Sequence, residues 1–516
     1  MARITCWDGV GCIGGNKILL EDSGTAIWLD FGLDFGKMGT YYEEYLKPKT
    51  CLGLYEPMQM GLIPPIKVLY REDLISDLAD PFHGISAMDT ADPGGVLLSH
   101  AHLDHLGALH YVRKDIPIYS SAVTLAIAKA TEDTGAGTPD EYCYTVQYEP
   151  CDTGELGCQK DFRKRPSKSR PYAFVNETPS PELMTFWNMT PSAFSQYGRP
   201  HEPTEIAVTS TCGGLNVRRF PVDHSIYGAC AWAIETQSGW VVYSGDIRCH
   251  GFNRDSTWKF AEEVSKLKPI ALIIEGTRIE SEGTNTEDQV LNRALDEVKK
   301  ASGLVVADFG PRNVERLISF LRIARETGRK LVLLPKDVYL LEKMALAGGE
   351  VPPISDESIL IYSKYEGSSF NWRKDLKQRY ADKMIRPDQV AGNQSSMICC
   401  FSFFDANELA YIRPVEGSMW LFSSCEAFNE EMQIDAGRLS AWVRRYGMAF
   451  PGDPTQKKSP FHVSGHACRT DLLKVIEMIN PKAVIPVHTE RPDLYAEMLA
   501  GKFKTILPER GKPIEI

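Results

Sequence analysis

The sequence contains no long apolar segment. No stretch of its 516 residues approaches the ~18–20 consecutive apolar residues that a bilayer-spanning helix requires. The first residues, Met1–Cys6, lack the charged and apolar regions of a signal peptide. We therefore expect no membrane association and a cytoplasmic location.

Cysteine pairs with metal-binding spacing are absent as well. The thirteen cysteines are odd in number and scattered, and none forms a C-x-x-C pair, so neither a zinc ribbon nor a disulfide framework is indicated. This usage fits a reducing cytosol. Cys143, Cys151 and Cys158 lie close enough in sequence to leave a structural metal or a redox pair as a minor alternative.

The chain has no excess of positive charge. Its formal net charge is −11, which argues against a generally basic nucleic-acid binder, although a local basic channel or bound metals can still receive a phosphate backbone. The composition, 43% hydrophobic and 24% charged, is that of a globular protein. Because single cores stop growing at roughly 250–300 residues, more than one domain is expected.

Seven of the eleven histidines fall in a few short motifs. The apolar run Val96–Leu98 leads into Ser-His-Ala-His-Leu-Asp-His at residues 99–105. On an extended chain His100 and His102 point the same way and can bind one metal ion, while Asp104 and His105, after the turn, face a second. Imidazole and carboxylate ligands favour zinc or manganese over calcium.

This segment resembles the second motif of the metallo-β-lactamase superfamily, whose fold is a four-layer αβ/βα sandwich. Other stretches resemble its remaining motifs. Asp30 stands at the first-motif aspartate, which in that superfamily buttresses a metal-binding histidine. His224, in Val-Asp-His-Ser, and Asp246, in Tyr-Ser-Gly-Asp, resemble the third and fourth motifs.

A second pattern begins after the buried strand Ala271–Glu275. Strands such as Gly303–Asp308 and Lys330–Pro335 alternate with amphipathic helices such as Thr286–Lys300 and Asn313–Thr327, which predicts a parallel α/β module. A module inserted in this way resembles the β-CASP nucleases. Glu275 fits their motif A, Phe-His-Val-Ser-Gly-His-Ala at 461–467 motif B, and Pro-Val-His at 486–488 motif C. Together the motifs look most like the ribonuclease J branch.

The resemblance implies a role for each site residue. Two divalent ions are expected, with zinc preferred over manganese: His100, His102 and His224 would hold one, Asp104, His105 and His488 the other, and Asp246 would bridge them. Asp104, Glu275 and His466 are the expected catalytic residues, and Glu275 would help to orient the motif histidines or a proton donor. The predicted substrate-binding residues, which would hold the scissile phosphate, are His462, Ser464, Gly465 and His466.

We expect three segments in the chain. Residues 1–278 would form the first part of the metallo-β-lactamase domain, 279–455 the β-CASP domain, and 456–516 the C-terminal part of the first domain. Residues at about 134–205 would be an insertion with a basic cluster, Arg163-Lys164-Arg165 with Lys168 and Arg170. It is either an ordered lid or a solvated loop.

The implied function is hydrolysis of RNA phosphodiester bonds. In the family, RNA-directed members carry histidine at motif C, as His488 does here. We expect a 5′-to-3′ exonuclease, with endonuclease activity as an alternative. The oligomeric state is also left open, and a homodimer is one alternative. Two alternatives remain: a lactonase or thioesterase that shares the metal loop, and an inactive partner subunit of a nuclease.

Overall fold

The computed structural model describes residues 1–43, 45–135, 142–157, 165–190, 199–283, 285–367, 370–425, 427, 429–456 and 459–516. The chain forms two compact units. The first comprises Met1–Cys249, Asn253–Gly283 and His466–Ile516, and the second comprises His250–Phe252 and Thr284–Gly465. The predicted boundaries at 278 and 455 fall five and ten residues before the breaks at 283 and 465. The assignment of these segments to named domains stays a prediction.

The first unit contains two large mixed sheets. In each, antiparallel strands occupy one side and parallel strands the other. The first sheet has the order Ile206–Val208, Tyr172–Phe174, Ile118–Ser120, Pro93–Leu97, Thr25–Phe31, Lys17–Asp22, Arg3–Asp8, Pro513–Glu515. The second has the order Thr211–Cys212, Leu215–Pro221, Cys230–Thr236, Gly239–Tyr243, Ala271–Glu275, Ala483–Val487, Lys504–Thr505.

These sheets pack face to face. Alternate residues of the strands, such as Ile18 and Leu20 in the first sheet and Trp232 and Ile234 in the second, share one buried core. The opposite face of the second sheet is covered by helices Arg254–Ser265 and Arg469–Ile479. The further helices of this unit are Phe35–Tyr41, Tyr55–Gln59, Leu103–Leu106, Ala122–Thr134, Pro181–Trp187 and Pro492–Met498, and its 3-10 turns are Thr50–Leu52, Lys67–Leu69, Glu72–Leu74 and Leu109–Tyr111.

The second unit is built on a parallel sheet. Its strands are near-continuous apolar runs that are buried along their length, as in Val305–Asp308. The sheet has the order Met384–Ile385, Ile359–Tyr362, Lys330–Leu333, Met397–Cys400, Val305–Asp308, Met419–Phe422. Its helices are Glu287–Val298, Val314–Glu326, Pro335–Leu346, Asn371–Arg379, Pro387–Ala391, Leu409–Ile412 and Glu430–Arg445, with 3-10 turns Ala381–Lys383, Gln394–Ser396 and Phe403–Glu408. The predicted α/β sandwich with an inserted parallel α/β module is confirmed.

The region at 134–205 contains regular structure. Its strand Tyr172–Phe174 belongs to the first sheet, and Tyr144–Val146, Ser167–Ser169 and His201–Glu202 form a small separate sheet. Of the predicted basic cluster, Arg163 and Lys164 lie outside the described residues. Arg165 pairs with Glu149, while Arg170 is buried and donates to backbone carbonyls.

The cysteines are mostly free thiols. In the described part of the chain eleven are free, Cys143 among them. Cys151 is disulfide-bonded and Cys158 lies outside the described residues, so the structural metal and the redox pair both stay predictions. Because disulfides are uncommon in a reducing cytosol, a cytoplasmic location stays a prediction. None of the helices in the described ranges combines the length and hydropathy that a bilayer span requires.

Candidate metal centre

The predicted metal ligands follow buried strands of the two facing sheets. Strand Pro93–Leu97 leads to His100, Gly239–Tyr243 leads to Asp246, and Ala483–Val487 leads to His488. Parallel pairing of Ala271–Glu275 with both second-sheet strands aligns their carboxyl ends. The ligands therefore meet at one edge of the sandwich.

Three histidines form the first cluster. The Nδ1 atom of His102 lies 3.0 Å from His100 Nε2 and 3.2 Å from His224 Nε2. Nitrogens bound at roughly 2.0–2.1 Å to one tetrahedral ion would lie about 3.3 Å apart. The three imidazoles are thus spaced as the ligands of a shared cation.

Two aspartates and two histidines form the second cluster. Asp104 and His105 lie in the short helix that follows His102, and their side chains converge with those of Asp246 and His488. Asp104 Oδ2 lies 3.4 Å from His488 Nε2 and 3.6 Å from His105 Nε2. Asp246 Oδ2 lies 3.1 Å from His105 Nε2 and 3.7 Å from His488 Nε2.

Asp246 reaches both clusters. Its Oδ2 atom is also 3.7 Å from His100 Nε2 and 3.8 Å from His224 Nε2. Within the described residues, Asp246 Oδ1 and His105 Nε2 are buried atoms without a hydrogen-bond partner. A buried polar atom without a partner is costly, and a cation would remove that cost here. The side chains present therefore fit metal binding.

Asp30 forms hydrogen bonds that hold His105 of the second cluster in position. Its carboxylate accepts hydrogen bonds from Ser99 N (2.6 Å), Ser99 Oγ (2.7 Å) and Tyr243 Oη (2.6 Å), and lies 2.7 Å from His105 Nδ1. With a proton on Nδ1, His105 turns the lone pair of Nε2 towards Asp104 and Asp246. Ser99 Oγ lies 2.9 Å from His100 Nδ1 and orients that ring similarly.

Asp30→Asn is expected to weaken zinc binding by about 10–100-fold, the usual cost of losing a partner that orients metal ligands. The asparagine amide would direct N–H groups at Ser99 and Tyr243, which are themselves hydrogen-bond donors to this position. The measurement is titration of the metal-free protein with zinc against a chromogenic chelator, with exposed Asp92→Asn as the matched control. Equal affinity in the two variants would contradict the buttressing role.

Glu275, Thr277 and His466 lie beside the second cluster. His466 Nδ1 is 3.1 Å from Glu275 Oε1 and 3.2 Å from Thr277 Oγ1. Glu275 also accepts hydrogen bonds from the backbone N–H groups of Ile247 and Thr277. This carboxylate is therefore held in place and can in turn hold the His466 ring.

Burial and neighbouring charges shift the pKa values of these histidines in opposite directions. Burial lowers the pKa of His100 well below its ordinary value, and the neighbouring histidines lower it further. Burial also lowers the pKa of His105, but Asp246, Asp104 and Asp30 outweigh it and raise that pKa well above its usual range. At His466 the nearby carboxylates likewise outweigh burial and raise the pKa to about 9. The buried carboxylates therefore favour positive charge at His105 and His466.

The other predicted phosphate-binding residues belong to the second unit. There His462 is half-buried, and its carbonyl oxygen is 3.4 Å from Asn285 Nδ2. The carbonyl oxygen of Ser464 lies 2.9 Å from His250 Nε2. The roles of His462, Ser464 and Gly465 stay predictions.

The structure also identifies supporting side chains that the motifs did not single out. These are Ser99, Tyr243, Thr277 and Asn16, whose Nδ2 donates to Tyr243 Oη at 2.9 Å. Ser99 and Tyr243 lie within quoted motifs, and Thr277 follows Glu275 by two residues. Their position in or beside the motifs was the sequence signal that could have identified them.

Comparisons with known proteins point in one direction. Residues 457–508 match a family model described as RMMBL, the Zn-dependent metallo-hydrolase RNA specificity domain. The chain is 21% identical to ribonuclease J of Helicobacter pylori over 95% of its own length and 56% of that protein. It is 21% identical to ribonuclease J of Pyrococcus abyssi, covering 100% of this chain and 97% of that protein.

The chain is similar to ribonuclease J, and it resembles metallo-β-lactamase proteins of the β-CASP type. A solved protein of unknown function from Enterococcus faecalis V583 has the same fold, with a TM-score of 0.66 at 22% identity over 99% of both chains. The ribonuclease J-like chain spans little more than half of the H. pylori relative. It nevertheless contains both units of the fold.

Proposed function

We propose that this ribonuclease J-like chain is a metal-dependent ribonuclease that hydrolyses RNA phosphodiester bonds, with 5′-to-3′ exonuclease activity. The observation that carries the proposal is the convergence of nine side chains on one edge of the sandwich, including a carboxylate that faces both ligand clusters. Those side chains are His100, His102, Asp104, His105, His224, Asp246, Glu275, His466 and His488.

Two divalent ions, zinc in preference to manganese, are proposed for the two clusters. His100, His102 and His224 would hold one, Asp104, His105 and His488 the other, and Asp246 would contact both. When bound, the ions supply the Lewis acidity that makes water a nucleophile near neutral pH and the charge that stabilises a phosphodiester under attack.

Other residues of the protein would position the metal ligands and the substrate phosphate. Asp30 and Ser99 hold the ligand rings in position, and Glu275 holds His466 beside the clusters. His466 has its Nδ1 atom beside Glu275 and Thr277, so its other ring nitrogen would contact a phosphate oxygen. Ser464 and Gly465 precede His466 and would contribute donors to the same phosphate.

RNA is the proposed substrate because of the residue at motif C and the matched C-terminal segment. His488 lies inside residues 457–508, whose model description names RNA specificity, and the relatives compared with the chain bear the name ribonuclease J. A homodimer is also proposed on the family resemblance, and a cytoplasmic location on the scattered cysteines, most of which are free thiols in the described residues.

The proposal is tested by incubating the purified protein with Mn²⁺ or Zn²⁺ and end-labelled RNA that carries a 5′-monophosphate or a 5′-triphosphate. Mononucleotides released from the monophosphorylated strand, and absent with Asp104→Ala, are the expected result. Discrete internal fragments would replace the exonuclease by an endonuclease. No cleavage with either metal would overturn the ribonuclease and favour a lactonase, a thioesterase or an inactive partner subunit, which ester substrates would then distinguish.

A further inference from the structure

The hydroxyl of Thr277 lies between two histidines that are distant in sequence. Thr277 Oγ1 is 2.8 Å from His488 Nδ1 and 3.2 Å from His466 Nδ1. It is also 3.3 Å from the carbonyl oxygen of His488, to which it donates. Thr277 itself is only partly buried.

The backbone fixes this arrangement. Strand Ala271–Glu275 runs parallel to Ala483–Val487 with Glu275 opposite Val487, so the residues after both strands emerge together. His488 adopts a left-handed conformation with φ 52°, and its N–H donates to the carbonyl of Gly9 at 2.7 Å. A residue rarely holds this conformation without such external support.

The hydrogen-bond capacity of a hydroxyl accounts for all three contacts. Its single proton goes to the carbonyl oxygen of His488, which leaves two lone pairs for the Nδ1–H groups of His488 and His466. With Nδ1 protonated, His488 presents the lone pair of Nε2 towards Asp104 and Asp246. His466 Nδ1–H is shared between Thr277 and Glu275.

We propose that Thr277 is a positioning residue whose hydroxyl sets the tautomer of His488 and the ring orientation of His466. The inference rests on the proposed function, because it assigns a support to one ligand cluster and to the phosphate-binding histidine beside it. One hydroxyl would then couple occupancy of the second metal cluster to the placement of His466.

The chain offers a matched pair of substitutions for the test. Thr277→Val keeps the shape of the side chain and removes the hydroxyl, whereas Thr277→Ser keeps the hydroxyl and removes a methyl group. Zinc binding by the metal-free protein is followed against a chromogenic chelator, and Co²⁺ absorption spectra report the ligand geometry. Neither readout requires RNA.

Thr277→Val is expected to weaken the second zinc-binding step by about 10–100-fold and to alter the Co²⁺ spectrum of that step. The first step, at His100, His102 and His224, stays unchanged. Thr277→Ser restores both the affinity and the spectrum. A merely structural role would change both variants alike or affect both steps.

Two negative results are distinguishable. A wild-type protein that binds neither zinc nor cobalt would refute the proposed metal-dependent function itself. A wild-type protein that binds two ions, together with a Thr277→Val variant of equal affinity and spectrum, would refute the role of Thr277 and leave the proposed function intact.

Discussion

Asp246→Asn is expected to reduce RNA cleavage by at least about a thousandfold. Metal ions contribute several kcal/mol of charge stabilisation in such reactions, and each 1.36 kcal/mol corresponds to about tenfold in rate. Asp246 Oδ2 lies 3.1 to 3.8 Å from ring nitrogens of His105, His488, His100 and His224. A neutral amide would remove the carboxylate that both ligand clusters share.

The same substitution should lower the metal content of both clusters, because no other carboxylate contacts the two sets of histidines in the described residues. The measurement combines initial cleavage rates with metal analysis of the dialysed protein. Asp388→Asn, an exposed aspartate paired with Arg386, is the control for the loss of a negative charge. Retained cleavage with full metal content would exclude Asp246 as the bridging ligand.

Much of the fold could be predicted because its strands are marked by local patterns. The apolar runs predicted as strands at 271–275, 303–308 and 330–335 coincide with the strands Ala271–Glu275, Val305–Asp308 and Lys330–Leu333. Turn chemistry also agrees with the first hairpin, where Ser23 and Gly24 both adopt positive φ. These patterns extend over only a few residues, so they can be recognised without tertiary information.

The region at 134–205 was harder to predict because its strands are only two or three residues long. Such short strands show no periodicity, and Tyr172–Phe174 gains its place from pairing with Ile118–Ser120. Tertiary contacts, rather than local preference, decide this part of the fold.

The metal loop at residues 99–105 could be predicted from its spacing of histidine and aspartate, whereas His224, Asp246 and His488 were predicted from the resemblance to family motifs. The supporting side chains could not, since each is defined by a contact between distant residues. Thr277 and His488 are 211 positions apart, and Tyr243 and Asp30 are 213 apart. Only the register of the paired strands and the packing of the two sheets bring these groups together.

The two histidines that share Thr277 should respond differently to removal. His488→Ala is expected to lose metal, because His488 Nε2 faces both Asp104 and Asp246. His466→Ala is expected to keep its metal and lose turnover. Its Nδ1 is committed to Glu275 and Thr277, and its contact with Asp246 Oδ2 is longer, at 3.9 Å.

Metal analysis and cleavage assays on the same preparations separate these roles. In His488→Ala, zinc affinity at the second cluster should fall by at least about a hundredfold, beyond the usual effect of removing an orienting partner. Excess zinc should restore part of its activity, whereas no metal concentration should restore His466→Ala. Exposed His83→Ala serves as the matched control. Equal metal content in the two variants would overturn this division, since both rings would then act on the substrate or both on the metal.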